Sequence, residues 1–281
     1  MTQKTRNAAL FASLLAALTG TAQAETAGTY LRADGARIEA RVLEAPGCAP
    51  VAIVSHGFGG NSKGNPQLAE ALNRAGYRVI VPSHAESGPK ALIGSLGSGR
   101  PRERILDLAA NPALLAAREA DVTAILAAET KRCAVPFKVL AGHSMGARTA
   151  LLEAGAANRN GTTGADRFDA YIAVSPAGEN SMLFPKGAMA GIRKPVLMIT
   201  GTRDDGEGGG YENRLSTFEG LPPGRKRLAV ITDATHSDLG GRRNPAVGRL
   251  IGEMTAEFLA MVRSGGNARA RPRPDVFFSD K

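Results

Sequence analysis

The chain has no tryptophan, only two cysteines and four histidines, and aromatic residues make up just 5% of its 281 positions. So few aromatic platforms argue against single-stranded nucleic-acid recognition by stacking. The formal net charge of +9 does not change this, because the basic residues are scattered rather than gathered into a patch. Two cysteines cannot staple a mini-protein, and 34 Gly with 16 Pro show no collagen-like period. What remains is a globular composition, 43% hydrophobic and 22% charged. At this length folding buries about three quarters of the surface the unfolded chain exposes, so the core needs no metal to complete it.

Beyond residue 24 there is no apolar run long enough to span a bilayer, so no stable membrane insertion is expected. The N-terminus is different. Lys4 and Arg6 precede an apolar stretch from Ala8 to Leu18, followed by Ala22-Gln23-Ala24, the small-x-small pattern of a signal-peptidase site. About eleven apolar residues are too few for a spanning helix, which needs roughly 20. Residues 1–24 are therefore expected to be a cleaved Sec-type signal, delivering the rest to the periplasm or the exterior. An exported chain can oxidise Cys48 and Cys133 to one disulfide.

Asp34-Gly35 between alternating runs predicts an opening hairpin. Short, nearly all-apolar runs then recur at 51–55, 78–81, 137–141, 170–174, 196–200 and 227–232. Strands apolar on both faces fit a parallel sheet covered by helices on each side. Pro66 to Gly76, Pro112 to about Thr130, Ser144 to Ala157 and Pro245 to Val262 read as helices, several opened by Pro. No repeat or linker divides the chain. One α/β domain over 25–263 is expected, with 264–281, rich in Gly, Arg and Pro, as a loosely packed tail.

Gly142-His143-Ser144-Met145-Gly146 fits G-x-S-x-G, in which a serine sits on a tight strand-to-helix turn and glycines relieve the crowding. A second match, Gly60 to Gly64, lies in a Gly-rich loop seven residues beyond its strand, so Ser62 reads as a turn residue. A serine hydroxyl needs a base, and the base needs a carboxylate to orient it. Of the four histidines only His236 follows Ser144 outside the elbow itself, in a loop after the last apolar run. The acid is expected in the loop after 196–199, at Asp204 with Asp205 in reserve, since adjacent side chains point apart. Two oxyanion donors are expected: the N–H of Met145, and the N–H of Phe58 in the loop Ser55-His56-Gly57-Phe58-Gly59-Gly60. That loop carries no phosphate-binding spacing, and no nucleotide cofactor is expected.

Together these motifs resemble the α/β-hydrolase superfamily, and within it the secreted bacterial hydrolases of the dienelactone-hydrolase-like and platelet-activating-factor-acetylhydrolase-like kind. The carrying residues are H-G-F-G-G at 56–60, the elbow at 142–146, T-G-T-R-D-D at 200–205 and A-T-H at 234–236. The resemblance implies an eight-stranded, mostly parallel sheet and a metal-free, cofactor-free ester hydrolase acting on small-molecule esters. Acetylhydrolases of this kind place the acid after the strand that follows the elbow helix, but here the chain reads Val174-Ser175-Pro176, which moves the expectation to Asp204. The strands before the oxyanion loop and the elbow are parallel neighbours in this superfamily. That puts Cys48 and Cys133 at the same lower end and implies a bridge between them, two free buried thiols being the alternative.

The expected function is an exported serine esterase. A lactonase, polyesterase or peptidase on the same triad, or a non-catalytic binding member of the fold, remains as an alternative. Ser181-Met182-Leu183-Phe184 is expected to form an apolar acyl pocket through Met182, Leu183 and Phe184, with ordinary core packing as the competing reading.

Overall fold

Gly35 takes φ 82°, a left-handed conformation that costs a residue with a Cβ, and closes the opening hairpin. It joins β1 (Glu25–Leu31) to β2 (Arg37–Leu43). The computed structural model describes residues 24–96, 101–205, 209–241 and 243–281, so the expected signal segment lies outside the described residues except for Ala24. The chain continues through β3 (Val51–Ser55), α1 (Pro66–Arg74), β4 (Arg78–Pro82), α2 (Pro89–Leu96), α3 (Pro101–Ala109) and α4 (Pro112–Arg132). The elbow region is β5 (Lys138–His143) and α5 (Met145–Glu153). There follow β6 (Ala170–Val174), β7 (Val196–Arg203), α6 (Glu212–Gly220), β8 (Lys226–Thr235), α7 (His236–Leu239), α8 (Pro245–Arg263) and β9 (Val276–Asp280).

The sheet runs β1-β2-β4-β3-β5-β6-β7-β8-β9. From β4 to β8 all neighbours are parallel, while β1, β2 and β9 run antiparallel and cover the two edges. Apolarity on both faces follows from helices on both faces. Val51 and Ile53 join one core with Leu115, Val122 and Ile125 of α4 and Leu151 of α5. Ala52 and Val54 join the other with Leu68 and Leu72 of α1 and Met254 and Phe258 of α8. Each such aliphatic side chain contributes about 2 kcal/mol by leaving water. The long helices start where the sequence marks them: Asn111 accepts the N–H groups of Ala113 and Leu114 ahead of α4, and Asn244 caps α8, each followed by Pro.

The sheet has nine strands rather than eight, because the expected loose tail supplies the last. Val276 is buried, Phe278 packs against the second core, and Phe277 between them faces solvent. That period-two pattern lets 276–280 pair with β8 from Val276 opposite Ile231 to Asp280 opposite Arg227. The Gly-, Arg- and Pro-rich stretch before it masks the strand in the sequence. Gly201 lies within β7, and a Cβ there would sit 2.3 Å from the Ala234 carbonyl oxygen, so glycine is needed for close approach to β8.

Cys48 and Cys133 form a disulfide with Cα atoms 5.7 Å apart, closing a sequence separation of 85. On the chain-entropy account a loop of this size adds about 4.5 kcal/mol by restricting the unfolded state. Reduction is expected to lower the melting temperature by 10 °C or more in calorimetry. An unchanged melt under a strong reductant would remove the bridge from the stability account.

Candidate active site

The parallel strands β3, β5, β6, β7 and β8 end at one rim of the sheet, the edge where α/β folds gather ligand-binding loops. Ser144 stands between β5 and α5 with φ 55° and ψ −116°, a conformation that costs a serine about 1–3 kcal/mol. Packing holds it there. A Cβ on Gly146 would fall 2.0 Å from the Ser55 carbonyl oxygen, and one on Gly142 would fall 2.3 Å from the Gly146 backbone. Both elbow glycines are therefore steric requirements, and the Ser144 N–H is fixed to the Val174 carbonyl at 2.9 Å.

Ser144 Oγ lies 3.1 Å from His236 Nε2, and His236 Nδ1 lies 2.9 Å from Asp204 Oδ1. His236 is not on an open loop but opens α7. Thr235 and Asp238 cap each other there, and the His236 carbonyl accepts from His143 Nε2 at 3.0 Å. Asp204 is fully buried. Burial alone would raise its pKa, but His236, Arg214 and Ser175 outweigh it and leave the carboxyl below its ordinary value. Asp205 is exposed, and it is Asp204 that reaches the imidazole.

Two residues of this cluster escape sequence reasoning. Ser175 takes φ 54° at the end of β6; its hydroxyl donates to Asp204 Oδ1 (3.0 Å), and its oxygen lies 2.7 Å from His236 Nδ1. Arg214 on α6 places Nε 3.0 Å from Asp204 Oδ2, and Thr200 donates to the same oxygen at 2.8 Å. With Asp204 accepting from all sides, the proton of His236 belongs on Nδ1, leaving the Nε2 lone pair facing Ser144. The one available signal for Ser175 is its place at a strand end where a carboxylate was sought. Arg214 has none, since only the tertiary fold carries α6 to this rim.

Beside Ser144 lies a cleft of about 410 Å³ lined by Phe58, Leu92, Ile105, Ser237 and Arg243. A cavity of similar size, about 470 Å³, lies at the opposite end of β8 near Arg225 and Lys226, and neither Ser144 nor His236 lines it. The Met145 N–H is the first of α5 and has no acceptor within the helix, and the positive helix end adds to its attraction for an anion. The loop carrying Phe58 borders Ser144: a Cβ on Gly57 would sit 3.3 Å from the Ser144 Cβ. The acyl-pocket expectation is corrected. Leu183 and Phe184 are fully buried in the core with Leu151, Met189 and Ile192, and Met182 is exposed away from the cleft. The 181–184 run turns inward because its apolar side chains complete that core, the competing reading of the segment.

The remaining histidines predict an acid sensitivity. Burial, reinforced by His84 and Arg118 around His56 and by Arg118 and Arg32 around His84, holds both rings well below the usual histidine range. Burial and then His236 push His143 down to about 3. Below about pH 6.5 the unfolded chain therefore binds three protons that the fold refuses, so stability falls as pH drops. Glu119 opposes this by one proton, since burial and the neighbouring Glu153 push its carboxyl up to about 8. Two net protons correspond to a loss of about 2–3 kcal/mol per pH unit. Urea unfolding at pH 7 and pH 5.5 should show a clearly lower midpoint at the acid value, and equal midpoints would contradict the assignment of neutral buried rings.

No family model matches this chain, and no curated protein does. Solved structures do. A predicted CIB-like hydrolase from Thermoplasma acidophilum is 17% identical with a TM-score of 0.57, covering 84% of this chain and 99% of its own. A dienelactone hydrolase from Anabaena variabilis is 18% identical at TM-score 0.58, covering 85% and 98%. The esterase Est1E of Butyrivibrio proteoclasticus is 18% identical at 0.56, covering 83% and 99%. At such identities the likeness establishes architecture: the chain has the α/β-hydrolase fold.

Proposed function

We propose that this chain is an exported serine esterase that hydrolyses small-molecule carboxylic esters through Ser144, His236 and Asp204. The observation carrying the reading is the continuous hydrogen-bonded path from Ser144 Oγ through the His236 ring to Asp204, at 3.1 and 2.9 Å, opening on a cleft. Ser144 attacks the ester carbonyl as His236 Nε2 takes its proton. The carbon–oxygen bond to the leaving alcohol then breaks as the imidazolium returns that proton. Water, deprotonated by His236, releases the acyl group. The N–H groups of Phe58 and Met145 are assigned to the oxyanion, which forms where water is partly excluded and fixed dipoles act strongly.

The likeness to proteins described as esterases and a dienelactone hydrolase supports the ester class. Export rests on the N-terminal pattern and agrees with a disulfide, which persists in oxidising compartments. Among the described residues no helix is long and apolar enough to cross a membrane. The test is fluorophosphonate labelling followed by peptide mapping, run beside p-nitrophenyl esters of graded chain length. A single adduct on Ser144 with ester turnover is expected. Absence of both would return the chain to the class of binding members of the fold.

A further inference from the structure

A second Ser-His-Asp relay lies beneath the first. Ser55 Oγ is 2.9 Å from His84 Nε2, and His84 Nδ1 is 2.7 Å from Asp121 Oδ2. None of the three is more than 1% exposed, so no substrate can meet them. Asp121 also takes Arg32 Nε, and Arg32 grips Glu86 with both terminal nitrogens. Arg118, one turn before Asp121 on α4 and wholly buried, completes the cluster. Two arginines and two carboxylates balance in charge, which suits both histidines to their neutral forms.

The hydrogen-bond directions in this cluster are fixed by its chemistry. Arg118 can only donate, and it gives Nη1 to the His56 carbonyl at 2.6 Å and to Ser55 Oγ at 3.1 Å, and Nε to Ser87 Oγ at 2.9 Å. Ser55 then donates onward to His84 Nε2, which requires the His84 proton on Nδ1, facing Asp121. The His84 backbone N–H donates to His56 Nε2 at 3.1 Å, so the His56 proton sits on Nδ1 and is donated to the Gly57 carbonyl at 2.7 Å. That carbonyl also receives the Gly60 N–H at 3.1 Å and Arg118 Nη2 at 3.5 Å. Both carbonyls of the loop, 56 and 57, are thus anchored to the buried cluster. In a trans peptide the N–H points opposite to the C=O, and no peptide among the described residues is cis. Anchoring the Gly57 carbonyl inward therefore turns the Phe58 N–H away from the cluster, in a loop that borders Ser144, since a Cβ on Gly57 would sit 3.3 Å from the Ser144 Cβ.

We propose that Arg118, with the buried relay Ser55–His84–Asp121, acts as a positioning device that aims the Phe58 N–H at the oxyanion formed on Ser144. The inference rests on the esterase reading and assigns a role that reading leaves empty. Neither Arg118 nor any member of the relay lines the cleft. Its effect passes through one peptide plane, and misaiming a preorganised donor raises the barrier without weakening ground-state binding.

The test uses Arg118→Met and Ser55→Ala, with rates normalised to active sites by fluorophosphonate titration. Each variant is expected to lose about 10- to 100-fold in kcat with KM changed less than threefold. A purely structural role would instead lower the melting temperature and leave normalised kcat alone. Folded variants within twofold of the parent kcat overturn the proposal. Should Arg118→Met fail to fold, Ser55→Ala decides, together with a measurement on the parent. Gly57-Phe58 is the one Gly-Phe pair in the chain, so carbonyl-¹³C glycine with ¹⁵N phenylalanine isolates its amide signal. A downfield shift of the Phe58 proton on forming a phenylboronic acid adduct supports the aim, and an unmoved signal overturns it. An inactive, unlabelled parent would sink the esterase reading itself, an outcome distinct from an active parent with indifferent variants.

Discussion

Ser144→Ala is expected to lower active-site-normalised kcat on a p-nitrophenyl ester by about five orders of magnitude, leaving the residual rate due to binding and oxyanion donors. The variant should fold. Among the described residues the Ser144 side chain has one partner, His236, so the substitution removes a partly exposed hydrogen bond worth about 1 kcal/mol. Alanine meets the same cost as serine at φ 55°, and the glycines that shape the turn are untouched. KM or inhibitor binding in the cleft should persist, because Phe58, Leu92 and Ile105 still line it. A folded variant that keeps more than a few per cent of the parent rate would remove Ser144 as nucleophile.

What could be read from the sequence follows from the range of the forces involved. Val51–Ser55 and Ala170–Val174 are legible as strands to the residue because burial on both faces demands continuous apolar runs. Ser144 is legible because close packing demands glycine at 142, against the Gly146 backbone, and at 146, against the Ser55 carbonyl, and both glycines stand within two residues of the serine. Asp204 and His236 can be found by order along the chain, since each follows a strand that ends at the same rim. Ser175 and Arg214 cannot, because their roles depend on contacts 61 and 39 residues apart, between His236 and Ser175 and between Arg214 and Ser175. Leu183 and Phe184 illustrate the converse. An apolar run reads the same whether it walls a cleft or fills a core, and only the packed structure separates the two. His84 and Arg118 carry no motif, and the motif that opens at His56 does not show what that ring touches. Their meaning lies in being buried together, which composition hides and burial reveals.

Asp204→Asn is the sharper test, and the structure gives the direction of its effect. Three groups donate to the carboxylate, His236 Nδ1 and Ser175 Oγ to Oδ1 and Thr200 Oγ1 to Oδ2, while Arg214, whose Nε donates to the Asp204 backbone carbonyl, lies 3.0 Å from Oδ2 as its ion-pair partner. An amide must put its NH₂ on one side. Arg214 cannot accept, so the amide oxygen stays with Arg214 and Thr200 and the NH₂ turns toward Ser175 and His236. The Ser175 hydroxyl can reverse, but the imidazole then accepts at Nδ1 and carries its proton on Nε2, aimed at Ser144. His236 Nε2 becomes a donor, and a proton leaving Ser144 has nowhere to go. A loss of about 10⁴ in kcat is expected, the size known for a Ser-His-Asp triad whose histidine is held in the wrong tautomer. Leaving Arg214 without its carboxylate should also cost about 3 kcal/mol of stability, read as a lower urea midpoint. Asp205→Asn should change neither quantity, because that side chain faces solvent. Were the second substitution to abolish turnover and the first to spare it, the acid would be Asp205, and the imidazole would have to turn away from a carboxylate 2.9 Å from its nitrogen.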